Sequence, residues 1–311
     1  MITYSFIIPH KNTPELLLRC IESIPLRQDV QIIVVDDNSD EEKKPKGLDQ
    51  RVQVVLLSQI ESKGAGHARN VGMSYAKGDW LLFPDADDFY TNNFLEILDG
   101  TIKSSNAQIL YFSCMGVETS NLKPHPCANG VQKYIEQFDG SKRSLDIVKY
   151  KTHVPWCKAL RRDFVMKYAL YYDEVQKGND VKFSYLTAFF APNVKVIKNR
   201  LYVYTFNPES ITHSQRSLAG SLSILANQAK SKVFLKHIGL AEMHNNIPIY
   251  NTSFAVLKHQ GIFTFILFMY ELFFHRKNIF CSQFDYISTM ETIKLQQLIK
   301  GHTNDNIEKF A

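Results

Sequence analysis

Trp80-Leu81-Leu82-Phe83-Pro84-Asp85-Ala86-Asp87-Asp88-Phe89-Tyr90 joins an apolar run to a cluster of acids. Four consecutive apolar residues, Trp80 to Phe83, spell a short strand buried on both faces, the pattern of a parallel sheet covered by helices. That strand runs directly into three carboxylates, Asp85, Asp87 and Asp88. Carboxylates this close repel one another, and a divalent cation or substrate hydroxyls relieve the repulsion. In an extended segment Asp85 and Asp87 would leave the backbone on the same side, a spacing suited to one hard metal ion beside a sugar or phosphate. The alternative is a polar turn after a strand, because aspartate favours turns.

Upstream, Tyr4 to Ile8 reads as a first strand stopped by Pro9. A helix opens at Pro14 with Thr13 as its N-cap, and Gln31 to Val35 forms a second strand ending in Asp36, Asp37, Asn38 and Ser39. Val52 to Leu57 gives a third strand, and Ala65 to Lys77 a helix that Gly78 ends. Strands separated by helices imply a mostly parallel sheet whose ligand lies beyond the strands' carboxyl ends. Pro9 to Asn12, Asp36 to Ser39 and Asp85 to Asp88 should therefore converge along one edge. Downstream come a helix from about Asn92 to Lys103, a strand Gln108 to Ser113, a polar region without assignment to Tyr150, and a β pair within Val194 to Phe206. From about Ser217 the pattern is helical, which predicts a division into 1–216 and 217–311.

The 311 residues suffice for a full core, and 45% hydrophobic with 22% charged residues is an ordinary globular composition. The five cysteines form no C-x-x-C pair, and the start MITYSFIIPH lacks a signal-peptide pattern, so a reducing cytoplasmic setting is expected. Between Ser141 and Arg200 there are 13 Lys and Arg against 5 Asp and Glu, an excess that suits an anionic partner such as a diphosphate, an acidic glycan or a lipid phosphate. The aromatics do not interleave with these charges as base stacking requires, so nucleic acid is not an expected partner.

With FIIPHKN, IIVVDDNSD, GAGHARNVGMSYAKGDWLLFPDADD, PWCKALRRDFV and GNDVKFSYLTA in that order, about the first 215 residues resemble the family 2 glycosyltransferases, inverting enzymes of the GT-A fold. The resemblance implies an α/β, Rossmann-like domain with a C-terminal helical extension. It also implies transfer of a hexose or N-acetylhexosamine from a nucleotide-sugar donor, UDP-linked by expectation, to a glycan or lipid-linked glycan in bacterial polysaccharide synthesis. By the same resemblance Asp36 and Asp37 would serve the nucleotide, Asp37 contacting its base with Pro9 and His10 lining that pocket. Arg69 would face base and diphosphate, Asp85 the ribose, and Asp87, with Asp85, the Mn²⁺ or Mg²⁺. Trp156, Lys158 and Asn179 would stand on the acceptor side, and Asp180 would be the general base. Asp180 also stands where it would merely cap the helix through Phe183 and Leu186, and Asp88 reads as a cap or loop residue as readily as a ligand. His213 either reaches the metal or belongs to an uninvolved polar loop.

Three positions depart from the family's commonest pattern: Lys11 where tyrosine is frequent, Pro84 where a branched aliphatic is usual, and Asn179 where glutamate often precedes the base. A sugar nucleotidyltransferase would carry a glycine-rich loop after strand one, and PHKNTPELL has no glycine. A non-catalytic binding protein of the same fold is the other alternative. The apolar run Gly261 to Phe274, followed by His275, Arg276 and Lys277, reads either as a packed helix or as an interfacial helix on an anionic membrane leaflet, with 261–277 as the contact.

Overall fold

The computed structural model describes residues 2–48, 53–175, 177–207, 217–244, 249–274, 286–294 and 296–297. In chain order the elements are β1 (Tyr4–His10), α1 (Pro14–Glu22), β2 (Val30–Asp36), β3 (Val54–Ser58), α2 (Gly64–Tyr75), β4 (Trp80–Leu82), β5 (Phe89–Tyr90) and α3 (Phe94–Lys103). They continue with β6 (Ile109–Glu118), α4 (Asn129–Glu136), α5 (Lys142–Lys151), β7 (Lys158–Arg161), α6 (Arg162–Lys167), α7 (Val181–Phe190), β8 (Val194–Phe206), α8 (Leu218–His237) and α9 (Ile249–Phe274). Two compact units result, Met1–Ser214 and Gln215–Ala311.

The first unit holds a sheet in the order β3-β2-β1-β4-β7-β6-β8-β5. β1 pairs in parallel with β2 and β4, β2 with β3, and β6 with β8, whereas β7 runs against β4 and β6, and β5 against β8. Six strands thus share one direction. The continuous apolar runs account for the centre: Phe6, Ile7, Ile8, Ile32, Ile33, Val34 and Leu82 are fully buried. Each such apolar side chain contributes about 1.5–3 kcal/mol relative to exposure.

Pro9 does not stop β1, which continues to His10. Backbone groups alternate between the two neighbours of a strand, and the His10 carbonyl accepts from Asp37 N–H on the β2 side. Pro9 therefore faces β4, whose pairing has already ended at Phe6, and its missing N–H costs no ladder bond. α2 ends two residues earlier than its apolar pattern suggests, and Gly78 terminates no helix. A Cβ at Gly78 would sit 2.5 Å from the Ser5 nitrogen, so the glycine serves close packing against β1. The expected β pair within Val194 to Phe206 is one strand of 13 residues. Lys198, Asn199 and Arg200 imitate a turn in sequence, but they fall where the register against β6 shifts, and Arg200 pairs with Glu136. The unassigned polar region contains α4 and α5.

In the second unit Leu225, Val256 and Phe268 form a small core with Phe265, Met269 and Leu272 packed against it. α9 breaks at Gly261, whose φ of 84° and ψ of 172° are not helical.

Replacing Gly78 with alanine should destabilise the protein by about 1–3 kcal/mol, because the opposing atoms are backbone and cannot move aside. Urea unfolding should show a lower midpoint at unchanged slope.

Candidate active site

The carboxyl ends of β1, β2 and β4 carry the three polar clusters, and bonds between side chains tie the first two together. The His10 ring is only 1% exposed, with Nδ1 2.8 Å from Asp36 Oδ1 and Nε2 accepting the Thr13 N–H at 3.1 Å. That second bond fixes the proton on Nδ1 and anchors the turn into α1, whose Thr13 side chain makes no capping bond. Asp36 is fully buried and also accepts from the Ser39 hydroxyl and Ser39 N–H. His10 and Asp36 are thus committed to the turns, while Pro9 keeps accessible surface. Asn12 and Asn38 both take left-handed conformations, φ 59° and 58°, and the Asn12 amide bridges to Asp40.

Asp37 receives Lys63 N–H at 2.8 Å, Gly64 N–H at 3.0 Å and the Ser62 hydroxyl at 2.7 Å. Its carboxylate therefore closes the amino end of α2, where charge and helix dipole agree. Lys11 extends the chain by donating to the Ser62 hydroxyl.

The loop after β4 is a turn closed by Asp88 N–H on the Asp85 carbonyl, and the extended geometry expected for Asp85 and Asp87 is not formed. Its three carboxylates go three ways. Asp85 meets Arg69 Nη2 at 2.5 Å; burial pushes the Asp85 carboxyl up, and the guanidinium opposes that rise. Arg69 is 4% exposed, gives Nη1 to Asn179 Oδ1 at 3.0 Å, and lies 5.3 Å from the Tyr172 ring. Asp88 is fully buried and accepts from the Tyr202 hydroxyl at 2.8 Å and Thr205 N–H at 2.7 Å. The Tyr202 hydroxyl in turn accepts Asp85 N–H at 3.0 Å. Asp88 is accordingly neither ligand nor helix cap but the staple between this loop and β8. Asp87 has its backbone carbonyl held by Arg19 and Thr205, and among the described residues no side chain bonds to its carboxylate. Burial, then Asp85, push the Asp87 carboxyl up to about 6.

α2 positions Arg69 by clasping the segment before α7. Asn70 exchanges two hydrogen bonds with the Tyr172 backbone, His67 pairs with Glu174, and a Cβ on Gly66 would lie 2.1 Å from the Asp173 carbonyl oxygen. Asp180 stands at the N-cap position of α7, yet its side chain makes no capping bond. Its charge acts instead on Arg69, Asp85, Tyr172, His153 and Lys158. The helix-cap alternative is thereby removed.

Two expected acceptor-side residues are interior. Lys158 is 1% exposed and donates to the Thr152 carbonyl at 3.2 Å and the Ser184 hydroxyl at 3.1 Å, so it joins β7 to α7. Trp156, 5% exposed, stacks on Tyr202 at 5.0 Å and Tyr204 at 5.2 Å. Asn179 bonds Arg69, and His213 lies outside the described residues. Tyr202, Thr205, Arg19 and Tyr172 escaped sequence reasoning. Period-two alternation along β8, with Tyr202, Tyr204 and Phe206 on one face, was the available signal for the first.

Among the described residues no three His, Cys, Asp or Glu side chains converge to hold a metal. The donor set fits a hard cation that keeps one or two carboxylates, here Asp87 with Asp85 nearby, and is completed by substrate phosphate oxygens and water.

The model for "Glycosyl transferase family 2" matches residues 5–169. The chain is 27% identical over 248 residues to uncharacterized glycosyltransferase EpsJ of Bacillus subtilis, covering 76% of this chain and 71% of EpsJ. It is 32% identical over 113 residues to UDP-Glc:alpha-D-GlcNAc-diphosphoundecaprenol beta-1,3-glucosyltransferase WfgD of Escherichia coli, covering 34% of this chain and 44% of WfgD. The crystal structure of S. aureus TarS 1-349 in complex with UDP-GlcNAc shares the GT-A fold, with TM-score 0.60, 17% identity, and coverage of 94% of this chain and 83% of that one.

A carboxyl raised from 3.8 to about 6 adds stability that is complete below its unfolded value and lost as pH rises through about 6. Discounted for partial exposure, ionised Asp87 costs about 1–2 kcal/mol at pH 8. Asp87→Asn should therefore unfold at higher urea than the parent at pH 8 in chelator, with the gain gone at pH 4.

Proposed function

The chain belongs to glycosyl transferase family 2, and from that premise we propose that it is an inverting, metal-dependent glycosyltransferase using a UDP-sugar. Residues 1–216 form the catalytic domain and 217–311 a helical appendage. The observation that carries this reading is the contrast between carboxylates at one sheet edge. Asp36, Asp37 and Asp88 are consumed by internal hydrogen bonds, whereas the Asp87 carboxylate has no side-chain partner among the described residues and Asp180 leaves its helix uncapped to act on the Arg69–Asp85 pair.

In this reading the nucleotide lies across Pro9 and the turn beyond β2, a turn that Asp37 shapes by holding the start of α2. Bound Mn²⁺ or Mg²⁺, held by Asp87 with Asp85 beside it, supplies Lewis-acid neutralisation of the leaving diphosphate. Arg69 acts as a positioning residue, holding Asp85 and Asn179 rather than facing the base directly. Asp180 accepts the proton of the acceptor hydroxyl as that oxygen attacks the anomeric carbon opposite the diphosphate, a contribution of about 10² to 10⁴-fold. TarS, solved with UDP-GlcNAc, supports the donor class, and the name of WfgD, with its diphosphoundecaprenol-linked acceptor, supports a lipid-linked glycan. Calorimetry should detect UDP binding with Mn²⁺, loss of that binding in chelator and in Asp87→Ala, and retained binding in Asp180→Asn. Transfer by Asp180→Asn should fall about 100-fold or more. Metal-independent UDP binding by Asp87→Ala overturns the metal assignment.

The work site in this reading is the inner face of the cytoplasmic membrane. Ile262, Phe263, Ile266, Leu267, Tyr270, Phe273 and Phe274 form an exposed stripe on the second half of α9, Phe263 being 82% exposed. Glu271 is the one charge within its span, and basic residues flank it in sequence, Lys258 and His259 before and His275 to Lys277 after, a pattern suited to an anionic lipid surface. Co-sedimentation with phosphatidylglycerol vesicles should occur for the parent and fall at least about tenfold for Phe263→Asp/Leu267→Asp. Equal sedimentation of both proteins removes the stripe from membrane contact.

A further inference from the structure

The end of α1 grips the loop after β4 at three points. Arg19, in the last turn of the helix, and Ser23, four residues on, stand on one side of it. Arg19 Nη2 donates to the Asp87 carbonyl at 2.5 Å, and its guanidinium carbon lies 5.1 Å from the Phe89 ring centroid. The Ser23 hydroxyl accepts Tyr90 N–H at 3.0 Å. From the opposite side Thr205 of β8, 2% exposed, gives its hydroxyl to the same Asp87 carbonyl at 2.7 Å. Both lone pairs of that carbonyl are therefore in use, and the peptide that follows Asp87 is fixed between α1 and β8.

A guanidinium beside three carboxylates would ordinarily form an ion pair with one of them. Among the described residues Arg19 forms none: Asp85 pairs with Arg69, Asp88 is bonded to β8, and the Arg19 bond goes to a carbonyl. Arg19 Nε is also buried without a hydrogen-bond partner among the described residues, which stability alone does not favour. Packing against Phe89 needs only the apolar stem, which methionine would supply. An ion pair with Asp87 would compete with a cation for the same two oxygens. By taking the carbonyl instead, Arg19 sets the direction in which the side chain leaves the backbone and keeps its oxygens for a ligand.

Adopting Asp87 as the residue that holds the divalent cation, we propose that Arg19 is a positioning residue for that cation, fixing the Asp87 peptide against β8 so that the carboxylate is presented in one orientation. Arg19 acts through Asp87 alone, and no proton or covalent bond moves at it. Thr205 shares the role through the second lone pair of the carbonyl. Groups that orient a metal ligand in this way contribute about 10 to 100-fold to metal affinity.

The test uses the full chain and reads UDP binding by calorimetry across a Mn²⁺ series. Arg19→Met keeps the stem against Phe89 and removes the donor. It should raise the Mn²⁺ concentration for half-maximal UDP binding about tenfold or more, with UDP affinity at saturating Mn²⁺ within about threefold of the parent. Arg19→Lys, which retains a cation and a donor, should recover part of that shift. Thr205→Val, which removes the other donor to the same carbonyl, should move the Mn²⁺ midpoint in the same direction. Gly78→Ala, destabilised away from this loop, should leave the midpoint in place. A midpoint in Arg19→Met within about threefold of the parent would overturn the proposal, as would an equal shift in Gly78→Ala. UDP affinity that stays low in Arg19→Met at saturating Mn²⁺ would mark the residue as structural and likewise refute it. No recovery in Arg19→Lys would place the effect in stacking on Phe89 and overturn the carbonyl as its point of action. Equal UDP binding by the parent in Mn²⁺ and in chelator would overturn the metal reading and this proposal with it. That outcome is seen on the parent alone, so the two failures are distinguishable.

Discussion

A buried carboxylate between two segments 114 residues apart holds this site in shape. Asp88 accepts from the Tyr202 hydroxyl and the Thr205 backbone, and that same hydroxyl receives Asp85 N–H. Burial and the neighbouring Asp87 and Asp85 push the Asp88 carboxyl well above the ordinary carboxylate range, so the arrangement persists only because both oxygens are satisfied. Without the staple, the turn after β4 would have no reason to present Asp85 to Arg69 and leave Asp87 unengaged.

A second constraint works from the other side. α2 approaches the 170–175 segment closely enough that only glycine fits at position 66, and the Asn70 amide reads the Tyr172 backbone as a strand partner would. Arg69 is thereby delivered, nearly solvent-free, between Asp85 and Asn179. The pair is a positioning device: the guanidinium orients two groups from different loops at once. Together the staple and the clasp bring β4, β8, α2 and α7 to one point, where burial and Asp85 push the Asp87 carboxyl up to about 6.

Much of the sheet was legible because strands buried on both faces must be continuously apolar, as in FII, IIVV and WLL, and turn residues bound each run at strand length. Strand β8 was less legible, since Lys198 to Arg200 carry turn chemistry while occupying a register shift, and only pairing with β6 distinguishes the two. The antiparallel insertion of β7 between β4 and β6 was invisible for the same reason. Pairing partners are long-range facts, and periodicity reports only local ones.

At the site, chain order and the handedness of parallel connections already put these residue types at the carboxyl ends of β1, β2 and β4. The sequence also carried the family through ordered motifs. Tertiary structure alone decided how the carboxylates divide their labour. Asp36, Asp37, Asp85, Asp87, Asp88 and Asp180 are chemically alike in sequence, and what separates a staple from a helix closure or an open ligand is which donors reach each oxygen. Those donors, Tyr202, Thr205, Lys63 and Arg69, come from elements from about 16 to 117 residues away, beyond the range of any local pattern.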